Sequence, residues 1–138
     1  MSKVLLVDDD VIMLKAMNNI LNKAGHEVSL AYNGKEALEK IEVSDFDLII
    51  TDIMMPYYNG LVVLNNIKSN PAKRHTKVIA MSSAGNIDIK SEAFSLGAED
   101  FMMKPIIPNQ LIEVVKKHTS GNVTVKSFIT RKPTASKV

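Results

Sequence analysis

Five times along this chain a short, largely apolar run is followed by a stretch whose apolar residues recur at helical spacing. The runs are Val4-Leu5-Leu6-Val7, Glu27–Ala31, Asp47–Thr51, Lys77–Met81 and Asp100–Met103. Brief, continuous apolar runs rich in β-branched residues suit strands covered on both faces. After the first, Val11, Leu14, Met17, Ile20 and Leu21 form a helical stripe that Gly25 ends. Ala37, Leu38 and Ile41 follow the Asn33-Gly34 turn, and Leu61, Leu64 and Ile67 mark a third helix ending near Asn70-Pro71. A fourth helix is predicted over Asp88–Leu96, stopped by Gly97, and a fifth from Pro108 to about His118. Strict alternation of this kind demands a parallel sheet covered by helices, joined by right-handed crossovers.

The predicted fold class is therefore α/β, and the arrangement expected for it is a flavodoxin-like (βα)5 three-layer sandwich, whose five parallel strands stand in the order 2-1-3-4-5. That order makes strands one and three neighbours, and both end in acid. Val7 runs into Asp8-Asp9-Asp10, and Thr51 runs into Asp52. The carboxyl ends of neighbouring parallel strands open into the crevice where such sheets place ligands. Two carboxylates in close contact there repel by roughly 4 kcal/mol at an effective dielectric near 20. A hard divalent cation such as Mg²⁺ between them makes that tolerable. The fourth run ends in the hydroxyl of Ser82 and the fifth in the amine of Lys104. Acids, a hydroxyl and an amine at successive strand ends make a site for handling a phosphoryl group.

At 138 residues the chain is long enough to bury a core without staples. It has no cysteine, which excludes disulfides, thiolate metal sites and cysteine nucleophiles. No apolar stretch approaches the ~20 residues that span a bilayer, and Met1-Ser2-Lys3 enters a strand with no room for a secretory leader. A soluble, cytoplasmic protein is expected. The net charge of +2 conceals a division: residues 1–117 carry 13 Lys/Arg against 15 Asp/Glu, whereas residues 118–138 carry four basic residues and no acid. Residues 1–118 are read as the folded domain and 119–138 as a basic, flexible tail, with a weak strand-like pattern at Val123, Val125 and Phe128-Ile129. Because the excess charge belongs to the tail, no nucleic-acid-binding domain is expected.

Residues 3 to about 118 resemble the receiver domain of two-component response regulators. The resemblance rests on Val7-Asp8-Asp9, on Asp52-Ile53-Met54-Met55-Pro56-Tyr57-Tyr58-Asn59-Gly60, on Ala80-Met81-Ser82-Ser83, on Gly97-Ala98-Glu99-Asp100-Phe101 and on Lys104-Pro105. It implies that Asp52 accepts a phosphoryl group from a phosphohistidine on a sensor histidine kinase or a histidine phosphotransfer protein. Asp9, Asp52 and the backbone carbonyl of Met54 would bind Mg²⁺ directly, with Mn²⁺ as an alternative, and Asp8 would act through a bound water. Lys104 would pair with one phosphoryl oxygen and Ser82 would donate to another. Ser82 and Phe101 stand at the family's switch positions, and a cis Lys104-Pro105 bond is a family expectation. The output face would be residues 87–118. A single-domain response regulator, monomeric, holding a phosphoryl group on itself rather than turning over an external substrate, is the reading that follows.

Some residues depart from the family's pattern. Tyr58 stands where many members have Met, and Phe101 lacks the hydroxyl of the frequent Tyr. Ile107 stands where a capping residue usually precedes the last helix. Met54 and Ala84 lie where the family often carries groups that orient the hydrolytic water, and neither side chain does this well, so the aspartyl phosphate is expected to be long-lived. Asp10 is read as a charge favoured at a helix N-terminus.

Three alternatives are weighed. Asp8-Asp9-Asp10 formally satisfies the Asp-x-Asp signature of a haloacid-dehalogenase-type phosphatase, but nothing in that reading explains the Asp52-x-x-Met-Pro loop. A receiver-like binding module that never takes phosphate is set against the presence of all five functional groups. A histidine phosphotransfer protein is set against His26, His75 and His118, each expected at the surface. Of the eight methionines, Met55, Met81, Met102 and Met103 are expected to fill the core, while Met13, Met17 and the outer side of the last helix are candidates for a partner surface.

Overall fold

A computed structural model of the chain describes residues 2–83 and 87–128, with side chains for 2–83 and 88–119. The elements run β1 (Lys3–Val7), α1 (Val11–Lys23), β2 (Glu27–Ala31), α2 (Gly34–Val43), β3 (Leu48–Asp52), α3 (Gly60–Ser69), β4 (Lys77–Ser82), α4 (Ile87–Ser95), β5 (Asp100–Met103) and α5 (Pro108–Phe128). All strand pairs are parallel and the sheet order is β2-β1-β3-β4-β5, as predicted.

The period of two along each strand sorts the core into two layers. Leu5, Val7, Ile49, Val78 and Ala80 face α2, α3 and α4, meeting Ala37, Ile41, Val63, Leu64, Ile67 and Ala93. Their strand neighbours Val4, Leu6, Leu48, Ile50, Ile79 and Met81 face α1 and α5, meeting Leu14, Met17, Leu21, Leu111 and Val115. Because both faces are covered, β1 and β3 have no polar alternation to display, which is why they read as continuous apolar runs. Helix starts are set by local chemistry. Asp10, Asn33 and Asn59 cap α1, α2 and α3 with side-chain oxygens that accept from Met13, Glu36 and Leu61/Val62 amides. Asp10 is thus more than a favourable charge; it is the N-cap itself.

Several expectations need correction. Helix α5 continues to Phe128, ten residues beyond its expected end, through residues read as the start of the tail and as a weak strand. Residues 129–138, including Arg131, Lys132 and Lys137, and Ala84 lie outside the described residues. Met17 is buried against the sheet rather than offered to a partner, because its place in the α1 stripe points inward. Met13 is partly buried. Met103, expected in the core, is 54% exposed, since β5 is an edge strand and this residue is its last. Among the described residues no helix is long and apolar enough to cross a membrane.

His118 is also not a surface residue. It is buried on α5 with Nε2 at 2.9 Å from Asp100 Oδ2, joining the helix to the start of β5. Burial acts to raise the Asp100 pKa, but hydrogen bonds from His118 and from the Phe101 amide prevail and hold it below the usual carboxylate value. A depressed carboxylate contributes stability that is present above its ordinary pKa and lost as pH falls through the folded one. Asp100→Asn is therefore expected to cost about 1–2 kcal/mol near pH 7. The gap to the wild type should close in acid below the ordinary carboxylate pKa, which urea titrations at a series of pH values will read.

Candidate functional site

The strand register brings the acids together. Val7 pairs with Thr51, so Asp8 and Asp52, each one residue further on, emerge side by side at the carboxyl edge. Asp52 pairs with Met81 and Ser82 with Met103, so the hydroxyl and the amine are one step further across the same edge. Asp8, Asp52 and Ser82 are buried, while Asp9 is exposed at the mouth. One carboxylate oxygen from each of Asp8, Asp9 and Asp52 lies within 4.8 Å of the others.

Lys104 spans the acids. Its Nζ lies 2.8 Å from Asp8 Oδ2 and 3.1 Å from Asp52 Oδ2. It follows β5, its amide donates to the Ser82 carbonyl at 3.0 Å, and its bond to Pro105 is cis. At these distances the ammonium donates charge-assisted hydrogen bonds to both carboxylates. Asp8 Oδ1 accepts from the Asp10 amide at 2.9 Å. Burial, reinforced by the charge of Asp8, raises the Asp52 pKa against the opposing pull of Lys104 and the Met54 amide. Burial also presses on Lys104, but its contacts with Asp8 and Asp52 win and keep its pKa above the ordinary value.

A divalent cation fits this donor set. Three carboxylates within reach of one another carry more negative charge than the one ammonium beside them neutralises. Few carboxylates with room for water suit Mg²⁺ in particular. Met54 sits at the mouth, 61% exposed, its amide directed at the Asp52 carboxylate. Phe101, the other switch candidate, is partly buried against the layer containing α4. His26 and His75 stand apart from the site at the start of β2 and before β4, the first partly buried and the second exposed.

Two glycines, Gly60 of the Asp52–Gly60 motif and Gly34 of the Asn33-Gly34 turn, support the site through close backbone approaches that the sequence reading does not assign to them. The Gly60 amide donates to the Ile53 carbonyl at 2.8 Å, and a Cβ on Gly60 would lie 2.2 Å from the Asp52 carbonyl oxygen. A Cβ on Gly34 would lie 1.9 Å from the Tyr58 carbonyl oxygen. Both follow asparagine caps, so the local signal was that of a helix start, and the close approach depends on tertiary placement.

Comparison with known proteins agrees with this geometry. The sequence profile described as "Response regulator receiver domain" matches residues 4–116. The chain is 38% identical over 117 residues to the chemotaxis protein CheY of Thermotoga maritima, covering 83% of this chain and 95% of that protein. It is 31% identical over 134 residues to ycf29 of Pyropia yezoensis, covering 97% of this chain but only 60% of that relative's length. A CheY-like receiver domain structure from Methanospirillum hungatei superposes with a TM-score of 0.84 at 28% identity, covering 90% of this chain and 98% of that one. Receiver domains are signalling modules that interact with histidine kinases and have no turnover activity on external substrates. From sequence profile, relatives and fold alike, this chain belongs to the response regulator receiver domain family.

Proposed function

We propose that this protein takes a phosphoryl group from a phosphohistidine of a sensor histidine kinase, or of a histidine phosphotransfer protein, onto Asp52, and that the modified site switches a protein-binding face. The observation that carries the reading is the buried Asp52 carboxylate, 3.1 Å from the Lys104 ammonium and within the three-carboxylate cluster. An Asp52 oxygen attacks phosphorus in line; the new O–P bond forms as the P–N bond to the histidine breaks, and the imidazole leaves. Lys104, a compact point charge on a flexible four-carbon stem, is positioned to trade its carboxylate contacts for one phosphoryl oxygen. Ser82, at the end of β4, would donate to another. Asp9, Asp52 and the Met54 carbonyl would hold Mg²⁺ (or Mn²⁺), with Asp8 acting through water. When bound, that cation offsets charge on the transferring group and orients it.

The receiver unit is read as residues 1–118, with α5 carrying on from it to Phe128 into the basic segment 119–138. Residues 87–118, together with Ser82 and Phe101 as the switch pair, would carry the output to a downstream protein. The receiver unit acts as a monomer in the cytoplasm, through protein contacts rather than direct contact with nucleic acid. Incubation with acetyl phosphate and Mg²⁺ should add one phosphoryl group by intact mass, and EDTA should prevent it. Failure to gain mass under saturating phosphodonor would reject the reading. With the apolar Met54 at the mouth, the isolated phosphoprotein should persist for minutes or longer in Mg²⁺, and decay within seconds would contradict this.

A further inference from the structure

Nothing in their side chains explains why Tyr57 and Tyr58 take left-handed backbone conformations, with φ of 50° and 67° and side chains 71% and 55% exposed. Consecutive non-glycine residues in that region carry strain that a surrounding structure must hold in place. What holds them is the first turn of α2. The leading amides of a helix lack partners within it. Here the Glu36 amide is satisfied by the Asn33 side chain, and the Lys35 amide donates to the Tyr57 carbonyl at 3.1 Å. That approach is open only because residue 34 has no side chain: a Cβ there would fall 1.9 Å from the Tyr58 oxygen and 2.7 Å from the Tyr57 oxygen. At its other end the same loop is closed by the Gly60 amide on the Ile53 carbonyl, and Ile53 is fixed by its amide to the Met81 carbonyl at 2.9 Å. Residues 53–60 therefore form a short loop clasped at two points, with Met54 between them.

We infer that Gly34 is a positioning residue for the phosphoacceptor site: the bare first turn of α2 clasps the 57–58 carbonyls and so sets the Met54 carbonyl and amide beside Asp52. This rests on the reading of Asp52, Asp9 and Met54 as the cation site. Any side chain at position 34 must displace the loop backbone by about 1 Å, a scale at which reacting groups lose their alignment.

The test is Mg²⁺ affinity by calorimetry on the full chain, with circular dichroism and urea midpoints measured alongside. Gly34→Ala should weaken Mg²⁺ binding roughly tenfold or more, the scale seen when support behind metal ligands is lost. Lys35→Pro removes the amide donor and puts its ring carbon where the amide hydrogen meets the Tyr57 carbonyl, so it breaks the clasp from position 35 and should weaken binding by a comparable factor. It decides the matter if Gly34→Ala does not fold. Gly25→Ala is the control. Gly25 has φ of +95° with nothing within 4 Å and lies between α1 and β2, so alanine strains the backbone without moving the loop. It should lower stability and leave Mg²⁺ affinity within about twofold of the wild type. Folded Gly34→Ala and Lys35→Pro proteins binding Mg²⁺ as well as the wild type would overturn the inference alone. A wild type that binds no Mg²⁺ would overturn the cation site beneath it as well.

Discussion

Replacing Asp52 with Asn is expected to abolish phosphoryl uptake and, in the same molecule, to stabilise the protein in the absence of Mg²⁺. The first effect follows because an amide is not a nucleophile toward phosphorus. The second follows from crowding, since Asp8, Asp9 and Asp52 bring oxygens within 4.8 Å of one another with one lysine between two of them. Each close carboxylate pair repels by about 3–4 kcal/mol at an effective dielectric near 20. Lys104 offsets part of this, so a net gain of about 1–2 kcal/mol in urea unfolding near pH 7 is expected. The pH dependence gives a separate check. Burial raises the Asp52 pKa, so folding favours its neutral form. The cost of ionising it is absent below the ordinary carboxylate pKa and grows as pH rises through the folded one. The advantage of Asp52→Asn should therefore appear as pH rises from about 4 and vanish in stronger acid. Saturating Mg²⁺ should shrink it at neutral pH by stabilising the wild type.

The converse substitution, Lys104→Met, keeps the apolar stem and removes the shared counterion. Asp8 and Asp52, both buried, then face each other without their cation. Removing one partner of a buried ion pair typically costs about 3–5 kcal/mol, and the lower end is expected here because the site opens to solvent at Asp9. The loss should be greatest in EDTA and should be reduced by Mg²⁺, which supplies positive charge to the same oxygens. The phosphoprotein should also form more slowly, because one phosphoryl oxygen loses its ammonium. Since the folded Lys104 pKa is raised, its stabilisation is complete below the ordinary lysine value and is lost as pH rises through the folded one. Wild type and variant should thus converge in strong alkali. Equal urea midpoints for the two proteins in EDTA at pH 7 would show that the bridge carries no stability. The double variant Asp52→Asn/Lys104→Met should be less destabilised than the sum of the singles, because each residue removes part of the other's reason for being there.

Much of this arrangement was legible in the chain because parallel strands buried on both faces leave an unambiguous mark. β2 and β5 fall on the residues expected, and the parallel sheet follows from the alternation, whereas its strand order rests on the flavodoxin-like pattern. The acids at the ends of β1 and β3 could be placed together because parallel strands all point the same way, so strand ends meet at one edge. Lys104 and Ser82 were legible for the same reason. What sequence could not supply was contact made by absence. Gly34 and Gly60 matter through the backbone atoms that approach them, and periodicity carries no record of such atoms. His118 looked like a residue at a frayed helix end; its burial against Asp100 depends on α5 continuing past it. Met17 and Met103 exchanged their expected environments because one falls on the inward stripe of α1 and the other closes an edge strand.

The most direct measurement concerns where the phosphoryl group sits. The protein should be phosphorylated with acetyl phosphate and Mg²⁺, then reduced with borohydride, which converts an aspartyl phosphate to homoserine, and mapped by peptide mass spectrometry. Homoserine at position 52 alone is the expected product. Homoserine at position 8, as a haloacid-dehalogenase-type nucleophile would give, or an acid-labile phosphoryl group with no homoserine at 52, would contradict the assignment of Asp52 as the acceptor.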